Sequence, residues 1–544
     1  MRITPFILVF ILVFILLNAC TSSTQVDLII HNAIIYTIDD SFSKAQAIAV
    51  NQGKIVAIGA EHQILNGYKG KQKIDAAGRY IYPGFIDAHS HFLGYGNEKH
   101  QLNLVETTSF NEVVSKISSY ISNYEGKWIR GRGWDQNDWE VKEFPRNDTL
   151  SKLFPDHYIV LKRVDGHAVL ASENVLNLAG ITSESKIAGG EIVLFNGKPT
   201  GVLIDEAESL IQPVIPKYSK EFKLNSLKIA QEDCFALGLT TVCDGGLSKE
   251  EIDLINESHE SFLKMRVYAM YSANNDLIDS LKTLGYKTER LTAKSIKLYA
   301  DGALGSRGAA LLAPYSDDSL NSGLIIAPED SIRKWAKACF ENNFQLNVHC
   351  IGDRANRITL DAMGSVLKTA NDRRWRVEHA QVVHEDDQDK FGAYTVIPSM
   401  QPTHATSDMY WAEDRLGSER IGQAYALKTM MNQNGLIALG TDFPVEDISP
   451  IKTFYAATVR KDLSGFPEDG FAIGESLSRQ EALRGITIWP AVANFEDSVK
   501  GSLEIGKYAD MVMLDQDLMN CSDQALKEVS VLKTWVNGEL VFEK

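Results

Sequence analysis

Alternating apolar and polar positions mark both ends of the chain. Between residues 26 and 83, short runs such as Lys54 to Ile58 are separated by turn residues, a pattern typical of β-strands. The same pattern returns after Gly501, where Asn537-Gly538 marks a tight hairpin. Strands from opposite ends of a chain can pair with one another. We therefore predict one small β-sandwich domain built from residues 26–83 and 499–544.

The region between these ends contains eight strand-like runs, most of them separated by helix-like stretches. The runs lie at residues 81–91, 239–245, 266–272, 295–301, 344–350, 375–380, 394–400 and 435–442. Eight strand–helix units predict an α/β fold, a (β/α)8 TIM-like barrel over residues 84–498. The gap between the first two runs is far longer than a single crossover requires. Residues from about 96 to 218 are therefore predicted to form an inserted subdomain over the barrel mouth, where we expect substrate selectivity to reside.

The first residues form an apolar run, from Phe6 to Leu17, that is short for a membrane span but has the length of a signal-peptide core. The run ends in Leu-Asn-Ala-Cys20, which resembles a bacterial lipobox. We predict a signal peptide over residues 1–19, lipid attachment at Cys20 and a polar tether over residues 20–25. An uncleaved anchor helix is the alternative. Either form would be an exported bacterial protein, held at a membrane on its periplasmic or cell-surface side.

Composition and charge exclude several classes of protein. Hydrophobic residues make up 44% of the 544 residues, as in globular enzymes and unlike disordered chains. The formal net charge of −16 would repel the phosphates of nucleic acids, so we expect no nucleic-acid partner. The cysteines show no Cys-x-x-Cys spacing, which speaks against a disulfide framework and against a thiolate zinc site.

Polar residues suited to metal binding interrupt the apolar pattern of several predicted barrel strands. His89 and His91 in the first run are two residues apart, so both imidazoles project to one face of a strand. The other candidates face inward in the fourth and fifth runs or end the sixth and eighth runs: Lys297, His349, His379 and Asp442. The same alternation points Glu378 outward. Barrel enzymes keep their active sites at this C-terminal edge, so these candidates are predicted to converge there.

These residues stand in motifs that resemble the amidohydrolase superfamily. The motifs occur in the family's order and span nearly the whole chain after the predicted signal peptide: PGFIDAHSH, KLYADGALGSRGAA, HCIGDRAN, RVEHAQ, GTDFPVE and GKYADMVMLD. Within the superfamily, the chain is similar to amidohydrolase family 3 and to the group of proteins that resemble N-substituted formamide deformylase.

The resemblance implies a metal centre at the barrel mouth. Its implied ligands are His89, His91, Lys297, His349, His379 and Asp442. These donors suit one or two Zn2+ ions best, with iron or manganese as alternatives. An unpaired lysine cation inside a barrel is costly, so Lys297 is predicted to carry a carbamate made from CO2 that bridges two metals. The alternative is a salt bridge from Lys297 to Asp301 or Asp442.

The implied function is hydrolysis of a C–N bond other than a peptide bond, in a small amide or an N-substituted formamide. Metal-activated water would attack the carbonyl carbon, and Asp442 would carry a proton to the departing nitrogen, with His379 as the second catalytic residue. A purely structural role for Asp442 is the alternative. Two other functions stay open: an esterase, lactonase or cyclic amidase with the same metal centre, and a lipoprotein that binds a ligand without catalysis.

The candidates for substrate binding lie in the predicted insertion and in barrel loops. They are Trp134, Asp135, His167, Arg307 and Arg354. Aromatic faces with one histidine and one aspartate suit an apolar ligand that carries a single polar group. The alternatives are that Trp134 belongs to the core of the insertion and that the two arginines pair with Asp301 and Asp353. As partners we expect a small-molecule amide and a membrane contacted through the lipid anchor alone, and a homodimer stays open.

Overall fold

The computed structural model describes residues 23–544, and its centre is a parallel sheet of eight strands curled into a nearly closed barrel. In chain order the barrel strands are Phe85–Ser90, Leu239–Leu247, Arg266–Ser272, Leu291–Tyr299, Gln345–Cys350, Arg376–His379, Ile397–Met400 and Ala438–Leu439. Each pairs in parallel with the next. The short strand Tyr286–Lys287 adds to the fourth in antiparallel orientation.

Contacts between the first strand and the residues that follow the eighth strand close the barrel. The amide of Asp442 donates to the carbonyl of His89 over 2.8 Å. The buried carboxylate of Asp87 accepts the hydroxyl of Thr441 over 2.7 Å. A Cβ atom at Gly440 would lie 2.5 Å from His89 N, so only glycine permits this close approach. The closure therefore brings Asp442 next to His89.

Helices follow most barrel strands and cover the outside of the sheet. They are Phe92–Glu98, Lys220–Ala236, Lys249–His259, Asn275–Ile278, Glu329–Asn342, Asp353–Leu367, Glu385–Ala393, Pro402–Asp408, Ala412–Arg420, Leu427–Asn434, Pro450–Val459, Arg479–Gly485 and Ile488–Ala493. Ser248 and Ser478 each begin a helix with a capping box, in which the serine hydroxyl and a glutamate three residues later satisfy free backbone amides. Apolar residues of helices and strands form one continuous core.

The two chain ends form two sheets that share a core. The first sheet contains Thr24–His31, Ala47–Asn51, Lys54–Gly59 and Tyr68–Asp75. The second contains Ile34–Tyr36, Lys44–Ala45, Tyr80–Pro83, Met511–Leu514, Val531–Val536 and Glu539–Glu543. Leu28 and Ile48 of the first sheet pack with Ile81 and Trp535 of the second. The short helices Glu61–Gly67 and Asp523–Leu526 belong to these chain ends.

A further six-stranded sheet forms between the first and second barrel strands in the chain. Its strands are Leu102–Asn103, Trp128–Trp134, Tyr158–Arg163, Ala168–Ala171, Gly190–Phe195 and Lys198–Asp205. The helices Phe110–Ile121, Asp148–Leu153 and Glu173–Ala179 accompany it. Trp134, Trp139 and Ile129 lie in its own apolar core. The insertion thus folds around a core separate from that of the barrel.

The predicted fold class is confirmed, whereas one predicted strand proves to be two. The run at 81–91 divides into Tyr80–Pro83 in a chain-end sheet and Phe85–Ser90 in the barrel. The chain changes partners at Gly84, where a Cβ atom would lie 2.3 Å from the Thr240 hydroxyl. A single apolar run cannot reveal such a change of partner. The exact domain boundaries stay predictions.

Within residues 23–544 no helix has the length and apolar character needed to cross a membrane. The predicted signal peptide and Cys20 lie outside the described residues. The first strand begins at Thr24, so two residues of the predicted tether are part of the folded body.

Candidate active site

A cavity of about 770 Å³ opens where the barrel strands end. His349, His379 and Asp442 from the barrel line it together with Asp135 and His167 from the insertion. A cavity of this volume accommodates a small molecule. The insertion therefore contributes directly to the space in which a substrate would bind.

Hydrogen bonds orient two of the predicted ligand histidines. His89 Nδ1 donates to the Glu378 carboxylate over 2.6 Å, and His379 Nδ1 lies 2.7 Å from the Gln401 side-chain oxygen, which accepts from it. Burial lowers the pKa of His89 to about 4 and holds the pKa of His379 well below its ordinary value. Both rings are therefore neutral at neutral pH. A neutral imidazole that donates from Nδ1 presents the Nε2 lone pair, as metal ligands do.

Asp442 lies at the centre of the cluster. Its Oδ1 is 3.6 Å from His89 Nε2 and 3.2 Å from His91 Nε2. Donor atoms of His89, His379 and Asp442 all lie within 4.8 Å of one another, and all three residues are buried. Oδ1 is buried and accepts no hydrogen bond from any of residues 23–544. A buried anionic oxygen without a donor, surrounded by imidazole nitrogens, fits a divalent cation such as Zn2+, iron or manganese.

Lys297 reaches the same cluster from the fourth barrel strand. Its Nζ lies 3.0 Å from His89 Nε2, and burial lowers its pKa to about 8. A fraction of the side chain is then a neutral amine at neutral pH. Among residues 23–544, no carboxylate oxygen lies within 4.0 Å of Nζ, so neither alternative salt bridge forms. Asp301 instead accepts the amides of Ala310 and Gly352, each over 2.8 Å.

His349 stands beside the cluster, at the end of the fifth barrel strand. Its Nε2 lies 3.5 Å from the Gly302 carbonyl oxygen. The His349 ring is 4.6 Å from that of His379 and 4.9 Å from that of His167, centroid to centroid. The fold therefore brings His349 to the same cavity, and its role as a metal ligand stays a prediction.

Two of these residues have a left-handed backbone, and at His379 this explains why two consecutive side chains, Glu378 and His379, both point into the barrel. The alternation of side chains along a regular strand does not predict this. The φ angle is 72° at His379 and 62° at Asp442. Such strained positions are concentrated at functional sites. Because the chain turns at His379, that ring reaches the cavity even though Glu378, the residue before it, points inward. The expectation that Glu378 points outward is wrong: its carboxylate is buried, pairs with Arg376 over 2.8 Å and holds His89.

Two positioning residues escape the sequence reasoning, Glu378 and Gln401. Burial opposes the ionisation of Glu378, but Arg376 and His89 hold the pKa of its carboxyl well below the ordinary value. It is therefore a firm anionic acceptor for His89. The position of Glu378 next to His379 in the RVEHAQ motif could have indicated from the sequence that it lies at the site. Gln401 offers none, because only the packing of neighbouring strands brings it to His379.

Comparison with known proteins agrees with this geometry. The sequence model described as the amidohydrolase family matches residues 72–542. The chain belongs to the amidohydrolase family. This amidohydrolase is 26% identical to N-substituted formamide deformylase of Arthrobacter pascens, with 95% of this chain and 98% of that protein covered. It is 31% identical to Protein LONG AFTER FAR-RED 3 of Arabidopsis thaliana, over 95% and 91% of the two chains.

A solved structure supports the same assignment. The crystal structure of an uncharacterized metal-dependent hydrolase from Pyrococcus horikoshii matches with a TM-score of 0.75 and 25% identity, over 91% of this chain and 99% of that one. The family predicted from the motifs is thereby confirmed. The protein is a hydrolase of a metal-dependent family, and the cluster around Asp442 has the donors that a metal needs.

Two of the predicted substrate-binding residues of the amidohydrolase line the cavity. Asp135 pairs with the buried guanidinium of Arg163. His167 Nδ1 lies 2.8 Å from Asp205 Oδ1, which accepts from it. Burial opposes protonation of His167, yet the Asp205 carboxylate raises the pKa of the ring above its ordinary value. Both side chains are therefore held in place by an oppositely charged or hydrogen-bonded neighbour.

The other three predicted substrate-binding residues lie outside the cavity lining. Trp134 packs in the core of the insertion, with its ring 6.1 Å from that of Trp139, as the alternative interpretation had it. Arg307 pairs with Asp317 over 2.9 Å rather than with Asp301. Arg354 is exposed. Substrate binding by these three residues stays a prediction, and none of them lines this cavity.

Proposed function

We propose that this amidohydrolase cleaves a non-peptide C–N bond in a small amide, with N-substituted formamides as the first candidates. The observation that carries the proposal is the buried cluster of His89, His379 and Asp442 in a cavity of small-molecule size. Similarity to N-substituted formamide deformylase along 95% of the chain supports the same class of substrate.

Asp442 is the residue that we propose to move the proton. A divalent cation bound at the cluster would supply polarisation of the substrate carbonyl and a more acidic water. Burial opposes ionisation of Asp442, but His91 and His379 hold its pKa well below the ordinary value, so the side chain is an ionised carboxylate at neutral pH, the form that a proton acceptor requires. It would take one from the attacking water and return it to the nitrogen as the C–N bond breaks. The products are an amine and a carboxylic acid.

Lys297 is proposed to complete the site as a carbamate. The lone pair of its neutral amine adds to the carbon of CO2, and one proton leaves to solvent. The pKa of about 8 favours this reaction, as does the absence of any carboxylate oxygen within 4.0 Å of Nζ in the described part of the chain. Carbamate oxygens would add ligands for a second ion. Metal uptake by the metal-free protein should then increase when bicarbonate is added to the buffer, and equal uptake with and without bicarbonate would count against the carbamate.

Metal analysis and turnover of the same preparation test the proposed function. Protein purified without chelator should contain zinc, iron or manganese and should hydrolyse N-substituted formamides and acyl amides. His89→Ala should lose the metal and about a hundredfold or more of the activity, since several kcal/mol of transition-state stabilisation depend on the metal. His62→Ala, which changes an exposed histidine, is the matched control.

Each alternative function predicts a different result in these assays. Wild-type protein that holds no metal would favour a ligand-binding lipoprotein without catalysis. Hydrolysis of esters, lactones or cyclic amides at much higher rates than open-chain amides would assign the site to those substrates instead. Normal turnover by His89→Ala would reject the ligand assignment.

A further inference from the structure

The cavity lining contains more acidic than basic side chains, and its lysines and arginines are already paired. The lysines and arginines of its lining form the ion pairs Lys99–Asp233 (3.0 Å), Arg132–Glu98 (2.5 Å), Lys452–Asp447 (2.6 Å) and Arg163 with Asp135 and Asp165. By contrast, Asp138, Asp408 and Glu446 also line the cavity and have no lysine or arginine nitrogen within 4.0 Å anywhere in residues 23–544. The lining therefore contains three acidic side chains that have no lysine or arginine partner in the described chain.

Asp408 and Glu446 lie on the same wall of the cavity and each leaves one oxygen available. Ser407, the neighbour of Asp408, donates its hydroxyl to Glu446 Oε1 over 2.5 Å. The hydroxyl of Tyr425 and the amide of Gln381 both donate to Asp408 Oδ2, over 2.8 Å and 3.5 Å. Asp408 Oδ1 and Glu446 Oε2 accept no hydrogen bond from any described residue. Each of these two cavity-lining acids thus keeps one carboxylate oxygen without a donor among the described residues.

A buried histidine beside Asp442 lies on the same helix as Asp408. His404 precedes Asp408 by one turn of the helix Pro402–Asp408, lines the cavity and is only 8% exposed. Its Nε2 is buried, has no hydrogen-bond partner among the described residues and lies 3.7 Å from Asp442 Oδ2. A buried polar atom left without a partner is costly. A ligand that extends from Asp442 past His404 would satisfy this nitrogen and would then reach the acid pair.

The raised pKa values of Asp408 and Glu446 agree with the absence of a positively charged partner among the described residues. Burial raises the pKa of Asp408 well above its ordinary value, and the neighbouring Glu446 adds to the shift. Burial also raises the pKa of Glu446. A cation placed against both carboxylates would offset the cost of keeping them charged, because opposite charge favours the ionised form.

We propose that the substrate of this amidohydrolase carries a cationic group, an ammonium or a guanidinium, that pairs with Asp408 and Glu446 while the amide lies at Asp442. The inference rests on the proposed function and narrows its substrate class from small amides to cationic amides. The cation would form charge-assisted hydrogen bonds with Asp408 Oδ1 and Glu446 Oε2. A neutral amide of the same shape would leave both carboxylates without a partner.

A pair of isosteric formamides tests this inference. N-(5-aminopentyl)formamide is positively charged at neutral pH, whereas N-hexylformamide has a methyl group in place of the ammonium. The metal-loaded full-length protein should have a kcat/KM about tenfold to a hundredfold higher for the charged compound, the range expected for hydrogen bonds between charged groups. The double variant Asp408→Asn/Glu446→Gln should bring this ratio close to one.

A matched control separates local pairing from the overall charge of the cavity. Asp447→Asn removes one negative charge from the same lining, but from a carboxylate that already has Lys452 as its partner. The preference for the charged formamide should persist in this variant. A ratio near one in the wild type, or a preference that survives in the double variant, would overturn the inference whatever the rate of amide hydrolysis.

A binding measurement keeps the inference testable if neither formamide is hydrolysed, a result that would reject the proposed amide chemistry. Pentylammonium chloride should raise the Tm of the wild type and of Asp447→Asn, compared with pentan-1-ol in sodium chloride of equal concentration. The double variant should show no difference between the two additives. No difference in the wild type, or an undiminished difference in the double variant, would reject a cation site at Asp408 and Glu446.

Discussion

At the scale of single residues, the candidate metal site depends on the hydrogen-bond acceptor that each histidine ring nitrogen has. Glu378 holds His89 from inside the barrel, and Arg376 compensates the charge of Glu378. All three side chains are fully buried. The pair therefore sets the tautomer of His89 and leaves its Nε2 available to a metal. Removing the negative charge of Glu378 should affect both metal affinity and stability.

Glu378→Gln should weaken zinc binding by about tenfold to a hundredfold, because a neutral amide holds the His89 Nδ1–H less firmly than a carboxylate does. Titration of zinc into metal-free protein against a competing chelator measures the change. The free energy of unfolding should fall by about 3 kcal/mol, since Arg376 is left as a buried cation without its partner. Glu481→Gln, in a helix cap outside the cavity lining, serves as the control. An unaltered zinc affinity in Glu378→Gln would contradict the assigned role.

At the scale of elements, barrel strands position the candidate ligands, and one helix end away from the site contains a buried histidine. His89, His379 and Asp442 stand within or just after three different barrel strands, and left-handed backbone at the last two turns their side chains into the cavity. Away from the site, the helix Lys249–His259 ends on a histidine whose Nε2 lies 2.9 Å from the Met265 carbonyl oxygen, which accepts from it. The Nδ1 of His259 is buried and has no hydrogen-bond partner within the part of the chain that the structure describes. Protonation of His259 should therefore make the free energy of unfolding depend on pH.

His259 should destabilise the fold as the pH falls below its ordinary pKa. Burial lowers its pKa from 6.5 to about 4, so between these values the unfolded chain binds a proton that the folded chain does not. Stability present above pH 6.5 should therefore be lost towards pH 4, by at most about 1.4 kcal/mol per pH unit. Urea unfolding at several pH values should show the wild type losing stability faster than His259→Gln. His62→Gln should follow the wild type; parallel curves for all three proteins would contradict the prediction.

At the scale of the whole molecule, one buried ion pair joins the chain-end sheets to the barrel. Arg266, which begins the third barrel strand, donates to both carboxylate oxygens of Asp510, over 2.6 Å and 3.1 Å. Their side chains are 1% and 5% exposed. Asp510 directly precedes the strand Met511–Leu514, which pairs with Tyr80–Pro83 from the other end of the chain. The pair thus connects three distant segments.

Arg266→Met should lower the free energy of unfolding by about 3–5 kcal/mol, because Asp510 would remain as a buried charge without a partner. Lys220→Met is the matched control, since Lys220 forms an ion pair with Glu257 in which both side chains are exposed, and its loss should cost at most about 1 kcal/mol. Urea unfolding measures both effects. Similar losses in the two variants would show that the buried pair does not hold the sheets to the barrel.

The attachment of the whole molecule to a membrane stays a proposal that rests on Cys20. Cys20→Ser should move the protein from the membrane fraction to the soluble fraction of cells, because the thioether-linked lipid could no longer form. Immunoblots of the two fractions measure the change, with Cys521→Ser as the control. Persistent membrane association of Cys20→Ser would favour the uncleaved anchor helix.

The sequence by itself was sufficient for the architecture and for the main ligand candidates. Strand and helix periods are local properties, so the eight barrel runs and the alternating chain ends are visible without a fold. The spacing of His89 and His91 places both rings on one face of a strand for the same reason. The order of the motifs was enough to predict the family, which the match to residues 72–542 confirms.

Only the tertiary structure decided what surrounds those residues. The inward position of Glu378 depends on the left-handed turn at His379, and the contact of Gln401 with His379 depends on the packing of adjacent strands. The same holds for Asp408 and Glu446, because only the folded structure shows that no lysine or arginine of residues 23–544 pairs with them. A local pattern specifies the direction of a side chain within one element, whereas burial, pairing and pKa depend on atoms contributed by residues far apart in the chain.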